Sequence, residues 1–181
     1  MLQSLTVKPL NLPIRLALVG VFALLTALSA RISIPLEPVP FTMQVLVVLL
    51  AGMVLGARDG ALSQALYVAL IAVGLPIDAR MVGTAALFGP TGGFLLGFIV
   101  AAFVAGYLTQ RSGERLWQRW LAGVAGVACI YLFGVLHLSL YRGMGLDAAW
   151  NASAAPFLGL DLIKAILAAG LTESWRAYTR R

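Results

Sequence analysis

Pro156-Phe-Leu-Gly-Leu-Asp161-Leu-Ile-Lys164-Ala-Ile-Leu-Ala-Ala-Gly-Leu171 is an apolar run with an acid and a base set inside it. A charge at mid-bilayer costs roughly 3 kcal/mol on insertion scales. Asp161 and Lys164 lie three positions apart, so a helix puts both on one face, separated by about 4.5 Å of rise. Ala165 and Ala168 extend that face with small side chains, while Leu162, Ile163, Ile166 and Leu167 occupy the others. The charged face is therefore expected to look into the protein, toward a polar ligand or polar partners. The competing reading is a local ion pair that only neutralises itself.

Working outward, 61% of the 181 residues are hydrophobic and 11% are charged, against about 25% charged in a soluble domain. That balance defines an all-α integral membrane protein, a single transmembrane domain over residues 1–181. Six hydrophobic segments fit the length, and helices are the only open-ended way to span a bilayer. The formal charge of +6 does not point to nucleic acid, because no basic face is interleaved with aromatics. The single Cys129 excludes a disulfide framework. The first apolar run shows no clear cleavage site and is expected to persist as a helix.

The pattern predicts helices over about 13–29, 41–56, 61–75, 91–110, 120–141 and from 156 to near 173. Pro13 suits a first helical turn, where its missing N–H does no harm. Ala23 and Ala27 stand one turn apart, a spacing that lets another helix approach closely. Residues 31–40 hold three prolines in six positions and are expected to form a stiff, irregular loop able to close over a pocket. Gln44 and Tyr67 are polar groups inside apolar helices; Gln44 needs partners, from a ligand or from a neighbouring helix. A second irregular stretch, 76–90, carries Asp78 and Arg80 and runs into Gly89-Pro-Thr-Gly-Gly93. Gly93, Gly97, Ala101 and Ala105 recur every fourth residue, a stripe for close packing. His137 is the one histidine, too isolated to bind metal.

With six helices both termini share a side. That side collects Lys8, Arg15, Arg58, Arg111, Arg115, Arg119, Arg176, Arg180 and Arg181, against Arg31, Arg80 and Arg142 on the other. Nine against three places both termini in the cytoplasm. Trp117, Trp120, Trp175 and Tyr178 then form an inner aromatic belt. The proline-rich loops and the Asp161 end of the last helix face outward together. No Gly-x-x-x-x-Gly-Lys-Ser/Thr occurs, so ATP is not bound here by a P-loop. A serine nucleophile lacks a partner pattern around His137. What remains is a small outward pocket with an acid, a base and amides, the chemistry of a binding subunit.

Several stretches, in order along most of the chain, carry a further likeness. Pro38-Val-Pro-Phe-Thr-Met-Gln44, Leu50-Ala-Gly52 with Leu55-Gly56, Tyr67 leading to Gly74-Leu-Pro76, Gly89-Pro-Thr-Gly-Gly-Phe94, and Pro156-Phe-Leu with Asp161-Leu-Ile-Lys164 resemble the BioY family, the biotin-specific S components of energy-coupling factor (ECF) transporters. Departures fall at Ile77-Asp78-Ala79, His137 and Gly159-Leu160. The resemblance implies a six-helix, ECF S-component-like bundle, multi-pass in a bacterial-type plasma membrane, that captures biotin from outside. It implies no enzyme activity and no cofactor. Asp161 is expected to accept a ureido N–H, and Lys164 to donate to the ureido carbonyl or the carboxylate. Gln44 and Tyr67 complete the polar contacts, Arg80 is the candidate for the carboxylate, and Gly92 and Gly93 admit the ligand close to backbone. The implied partners are a transmembrane T subunit, docked on the Ala23/Ala27 face, and two cytoplasmic ATPases. The alternatives are an S component for another vitamin, and a small membrane enzyme or assembly subunit in which Asp161/Lys164 is structural or catalytic.

Overall fold

The computed structural model describes residues 11–112 and 115–179. Lys8, Arg180, Arg181 and the Tyr178 side chain, used above for topology, lie outside the described residues. The element order is α1 (Leu12–Ser29), β1 (Ser33–Ile34), β2 (Phe41–Thr42), α2 (Gln44–Leu55), α3 (Ala57–Ala72), α4 (Ala85–Phe88), α5 (Gly92–Arg111), α6 (Leu116–Arg142), α7 (Leu146–Ser153) and α8 (Leu158–Thr179). Among the described residues the regular elements are all helices apart from the ribbon of β1 and β2. Among the described residues three helices, α1, α5 and α6, are long and apolar enough to cross a membrane, and α7 with α8, bent by 60°, makes a fourth if counted as one span. The helix α2 is apolar but has only 12 residues.

The boundaries follow local chemistry. Pro13 sits in the first turn of α1, as expected. Gly56 at φ 88° joins α2 directly to α3, a left-handed conformation that glycine adopts without a Cβ clash. The expected turn over 56–60 is therefore a single residue, and Arg58 and Asp59 stand in the first turn of α3. Residues 41–43, expected as helix, instead form β2 and its exit. Ile34 pairs with Phe41 and Ser33 with Thr42, while Met43 donates its N–H to Ile32 O. Pro35, Pro38 and Pro40 interrupt any helix leading into this segment, so the backbone groups find partners across the ribbon. Short helices also form between the expected ones, α4 within the irregular stretch 76–90 and α7 between the helices expected over 120–141 and from 156.

The core forms where small residues let backbones meet. A Cβ on Gly60 would stand 2.6 Å from Gly52 Cα, and one on Gly106 would stand 2.6 Å from Ala57 N. Such contacts are closer than any real Cβ makes, so α2, α3 and α5 cross at glycines. The expected stripe on α5 packs against α6, its most extensive neighbour, with Gly97 against Ile130 and Ala101 and Ala105 fully buried.

Polar pins supplement this packing. Arg15 forks onto Asp59 at 2.9 and 2.7 Å, and Thr26 meets Gln64 at 3.2 Å, joining α1 to α3. Arg119, expected just before the helix over 120–141, lies instead inside α6, fully buried and paired with Glu173 of α8. A guanidinium shut away from water needs such a carboxylate.

Candidate functional site

The acid and base of the opening stretch stand in the first turns of α8, each 3% exposed. Asp161 stands in the first turn, near the positive end of the helix dipole. Lys164 Nζ donates to Asp161 Oδ1 at 2.7 Å and to the backbone oxygen of Thr42, also at 2.7 Å. The same ammonium lies 3.7 Å from the centroid of the Phe41 ring, within range of a cation–π attraction. Tyr131 of α6 donates its hydroxyl proton to Asp161 Oδ2 at 2.6 Å. The ring of Tyr131 receives Trp150 of α7 edge-on, centroids 5.9 Å apart.

Phe41, Thr42, Tyr131, Asp161 and Lys164 line one cavity of about 60 Å³. Its walls come from 39–42 of the first loop, Asp78, Ala79 and Arg80 of the second, Phe94 and Phe98 of α5, and Asp161 and Lys164. The charge pair is thus satisfied by its neighbours and still borders a cavity. A larger groove of about 540 Å³ opens between α6, α7 and α8 on the other side of Tyr131. Its lining is apolar except for Tyr131 and Asp147, so it lacks the convergent polar groups of a site for a polar ligand.

Capacity remains at the small cavity. Each carboxylate oxygen accepts two hydrogen bonds, so Asp161 keeps one place on each oxygen beyond Tyr131 and Lys164. An ammonium has three N–H groups, and Lys164 spends two on Asp161 and Thr42. Gln44 also lines the cavity; its Nε2 donates to Tyr67 Oη at 2.7 Å, which leaves the amide oxygen to accept. Tyr67 in turn donates to Ile77 O at 3.2 Å and is fully buried behind Gln44.

The sequence-derived site is therefore gathered only in part. Asp161, Lys164, Gln44 and Arg80 border the cavity. Tyr67 supports Gln44 from behind. Gly92 and Gly93 are absent from the wall. They face Leu87 and α6 instead, where a Cβ on Gly92 would stand 3.1 Å from His137 Nε2. Their smallness serves helix packing, and His137, 2.9 Å from Gly89 O, fastens the turn before them. Ala23 and Ala27 are 2% and 9% exposed. They lie on the inner face of α1, which packs on α2 and α3. A partner approaching α1 from lipid meets Val21, Leu24, Leu25 and Leu28 first, all exposed.

Tyr131 is the residue that sequence reading passed over. Its only signal was a hydroxyl in the middle of an apolar helix, shared with ordinary core tyrosines.

The comparisons with known proteins agree in direction. A family model described as "BioY family" matches residues 3–181. The chain is 46% identical over 151 residues to "Biotin transporter BioY" of Thermotoga maritima, covering 83% of this chain and 88% of that one. It is 41% identical over 165 residues to "Biotin transporter BioY" of Rhodobacter capsulatus, covering 83% and 86%. Its fold matches a crystal structure of the S-component for biotin from an ECF-type ABC transporter, with TM-score 0.84, 23% identity, and 91% and 92% of the two chains covered. The family model spans nearly every residue, and both relatives align over most of their own length, so the chain belongs to the BioY family.

Proposed function

We propose that this chain captures biotin as the S component of an ECF-type importer. The observation that carries this is the convergence of Asp161, Lys164 and Tyr131 on one cavity roofed by two loops, in a chain whose relatives are named biotin transporters. Biotin carries a ureido ring with two N–H donors and one carbonyl, an apolar thioether ring and a carboxylate. The ureido N–H groups donate to the free positions on Asp161 and to Gln44, the third Lys164 proton goes to a ligand oxygen, and Phe41, Phe94 and Phe98 enclose the apolar rings. Tyr67 holds Gln44 for that contact. Arg80 completes the cavity wall beside Asp78 and Ala79. Gly92 and Gly93 act one layer out, by fixing the α5 terminus that carries Phe94.

The chain is read as one transmembrane domain of six passes, α1, α2, α3, α5, α6 and α8, in a bacterial-type plasma membrane. Both termini are cytoplasmic and the cavity beside the two loops faces outward, a reading that the lysine and arginine asymmetry supports. The short α2 and α3 are accommodated by local thinning of the bilayer. Binding carries no chemical step, so the chain is a carrier subunit rather than an enzyme. Uptake against a gradient then needs a T subunit and two ATPases. The T subunit docks along α1, either at the Ala23/Ala27 face or at the exposed face beside it.

Two measurements test this. Mass spectrometry of ligand released from the purified protein should give biotin, and labelled biotin should bind the purified chain. A different vitamin, or no ligand and no binding, sinks the reading. Uptake by cells expressing the chain with and without a T subunit and ATPases tests the partners.

A further inference from the structure

The cavity is too small for what it is meant to hold. Sites for small molecules usually enclose about 300 Å³ or more, whereas this one has about 60 Å³. Either the 31–42 loop or the 76–84 loop must therefore move for ligand to enter, and the two are tied to each other in both directions. Arg80, from the second loop, donates from Nη2 to Pro38 O at 2.9 Å and Leu36 O at 3.5 Å, and pairs with Glu37 at 3.1 Å. Arg31, at the base of the first loop, donates to the backbone oxygen of Asp78 in the second.

Asp78 makes this exchange rigid. It is 3% exposed. Its Oδ2 accepts the N–H of Arg80 at 3.0 Å, and its Oδ1 accepts those of Val82 and Gly83 at 2.9 and 2.7 Å. The loop so wound contains Met81 and Gly83 at φ 57° and 59°. A buried carboxylate with three backbone donors holds a shape that side-chain packing in a short loop does not. It presents the Asp78 carbonyl to Arg31 and the Arg80 side chain to the first loop.

We propose that Arg31 and Arg80 form a reciprocal clasp between the two loops that sets how fast ligand leaves, and that Arg80 acts on the first loop rather than on the ligand's carboxylate. The donors of Nη2 are committed to the first loop's carbonyls and to Glu37. Opening the cavity means breaking bonds from both arginines at once. Both are positioning residues: they keep Pro40 to Thr42 seated over the charge pair. The ligand half of this assignment rests on biotin as ligand; the loop half does not.

The test has two arms on the full chain in lipid nanodiscs, for wild type, Arg31→Ala, Arg80→Ala and Arg80→Lys. One arm follows backbone hydrogen exchange of residues 33–43 without ligand. The other follows release of labelled biotin and of biotinamide, whose uncharged amide replaces the carboxylate. Both alanine variants should exchange faster without ligand. They should release both compounds faster by the same factor, roughly tenfold, at an unchanged melting temperature. Arg80→Lys, with a single donor centre, should fall between. Wild-type exchange in both alanine variants overturns the clasp, as does an Arg80→Ala effect confined to the charged compound. If wild type binds neither compound, the biotin reading fails, and the exchange arm still decides the clasp.

Discussion

Tyr131 Oη lies 2.6 Å from Asp161 Oδ2, across the interface between α6 and α8. The bond fixes which lone pairs of the carboxylate stay open to the cavity, because Lys164 takes a place on the other oxygen. A hydrogen bond to a charged group contributes about 1.5–3 kcal/mol. Tyr131→Phe keeps the ring and removes the bond. Biotin affinity should fall on the order of tenfold or more, measured by equilibrium binding of labelled biotin. A change under about twofold would remove Tyr131 from the site.

The charge pair itself makes a sharper demand. Removing one partner of a buried pair leaves the other charge stranded, at a cost of about 3–5 kcal/mol. Asp161→Asn and Lys164→Ala should each lower both the melting temperature and biotin binding. Removing both charges, as in Asp161→Asn with Lys164→Met, should recover much of the stability and none of the binding. Recovery of binding in the double variant, followed by thermal melting and ligand titration, would show that the pair is structural only.

The two faces of α1 predict opposite behaviour. Ala23 is buried, and inserting a large side chain into a packed core costs about 1–3 kcal/mol or more. Ala23→Trp should therefore lower stability and binding together. Gly20 has no heavy atom within 4 Å of the position a Cβ would take. Gly20→Trp should leave biotin binding intact. If partners dock on that side of α1, it should also stop uptake in cells that carry the T subunit and ATPases. Intact binding and uptake in Ala23→Trp would contradict the packing seen here.

Trp150 offers an optical reporter, since its ring meets Tyr131 edge-on at 5.9 Å and Tyr131 meets Asp161. In a variant with Trp117, Trp120 and Trp175 changed to Phe, biotin should alter the emission of Trp150 in proportion to occupancy. Emission that stays constant through a titration known to saturate would show that ligand does not reach the Tyr131 side of the cavity.

Composition and spacing settled the membrane class of the chain, its helical character and the shared face of Asp161 and Lys164 on α8. These are local properties: hydropathy is summed along a segment, and three-residue spacing on a helix brings Asp161 and Lys164 together whatever surrounds them. The family likeness was legible for a related reason, because its motifs are short runs. What lies opposite each face was not legible. Thr42 meets Lys164 across 122 positions of sequence, and Tyr131 meets Asp161 across 30. Such meetings depend on how helices cross, which glycine contacts at Gly52, Gly60 and Gly106 fix by steric fit. Tertiary packing likewise turned Ala23 and Ala27 inward, buried Arg119 against Glu173 and carried Arg80 onto the first loop. A side chain's type says which bonds it can make; only the packed bundle decides which partner comes within 3 Å of it, because that distance is set by every backbone between them.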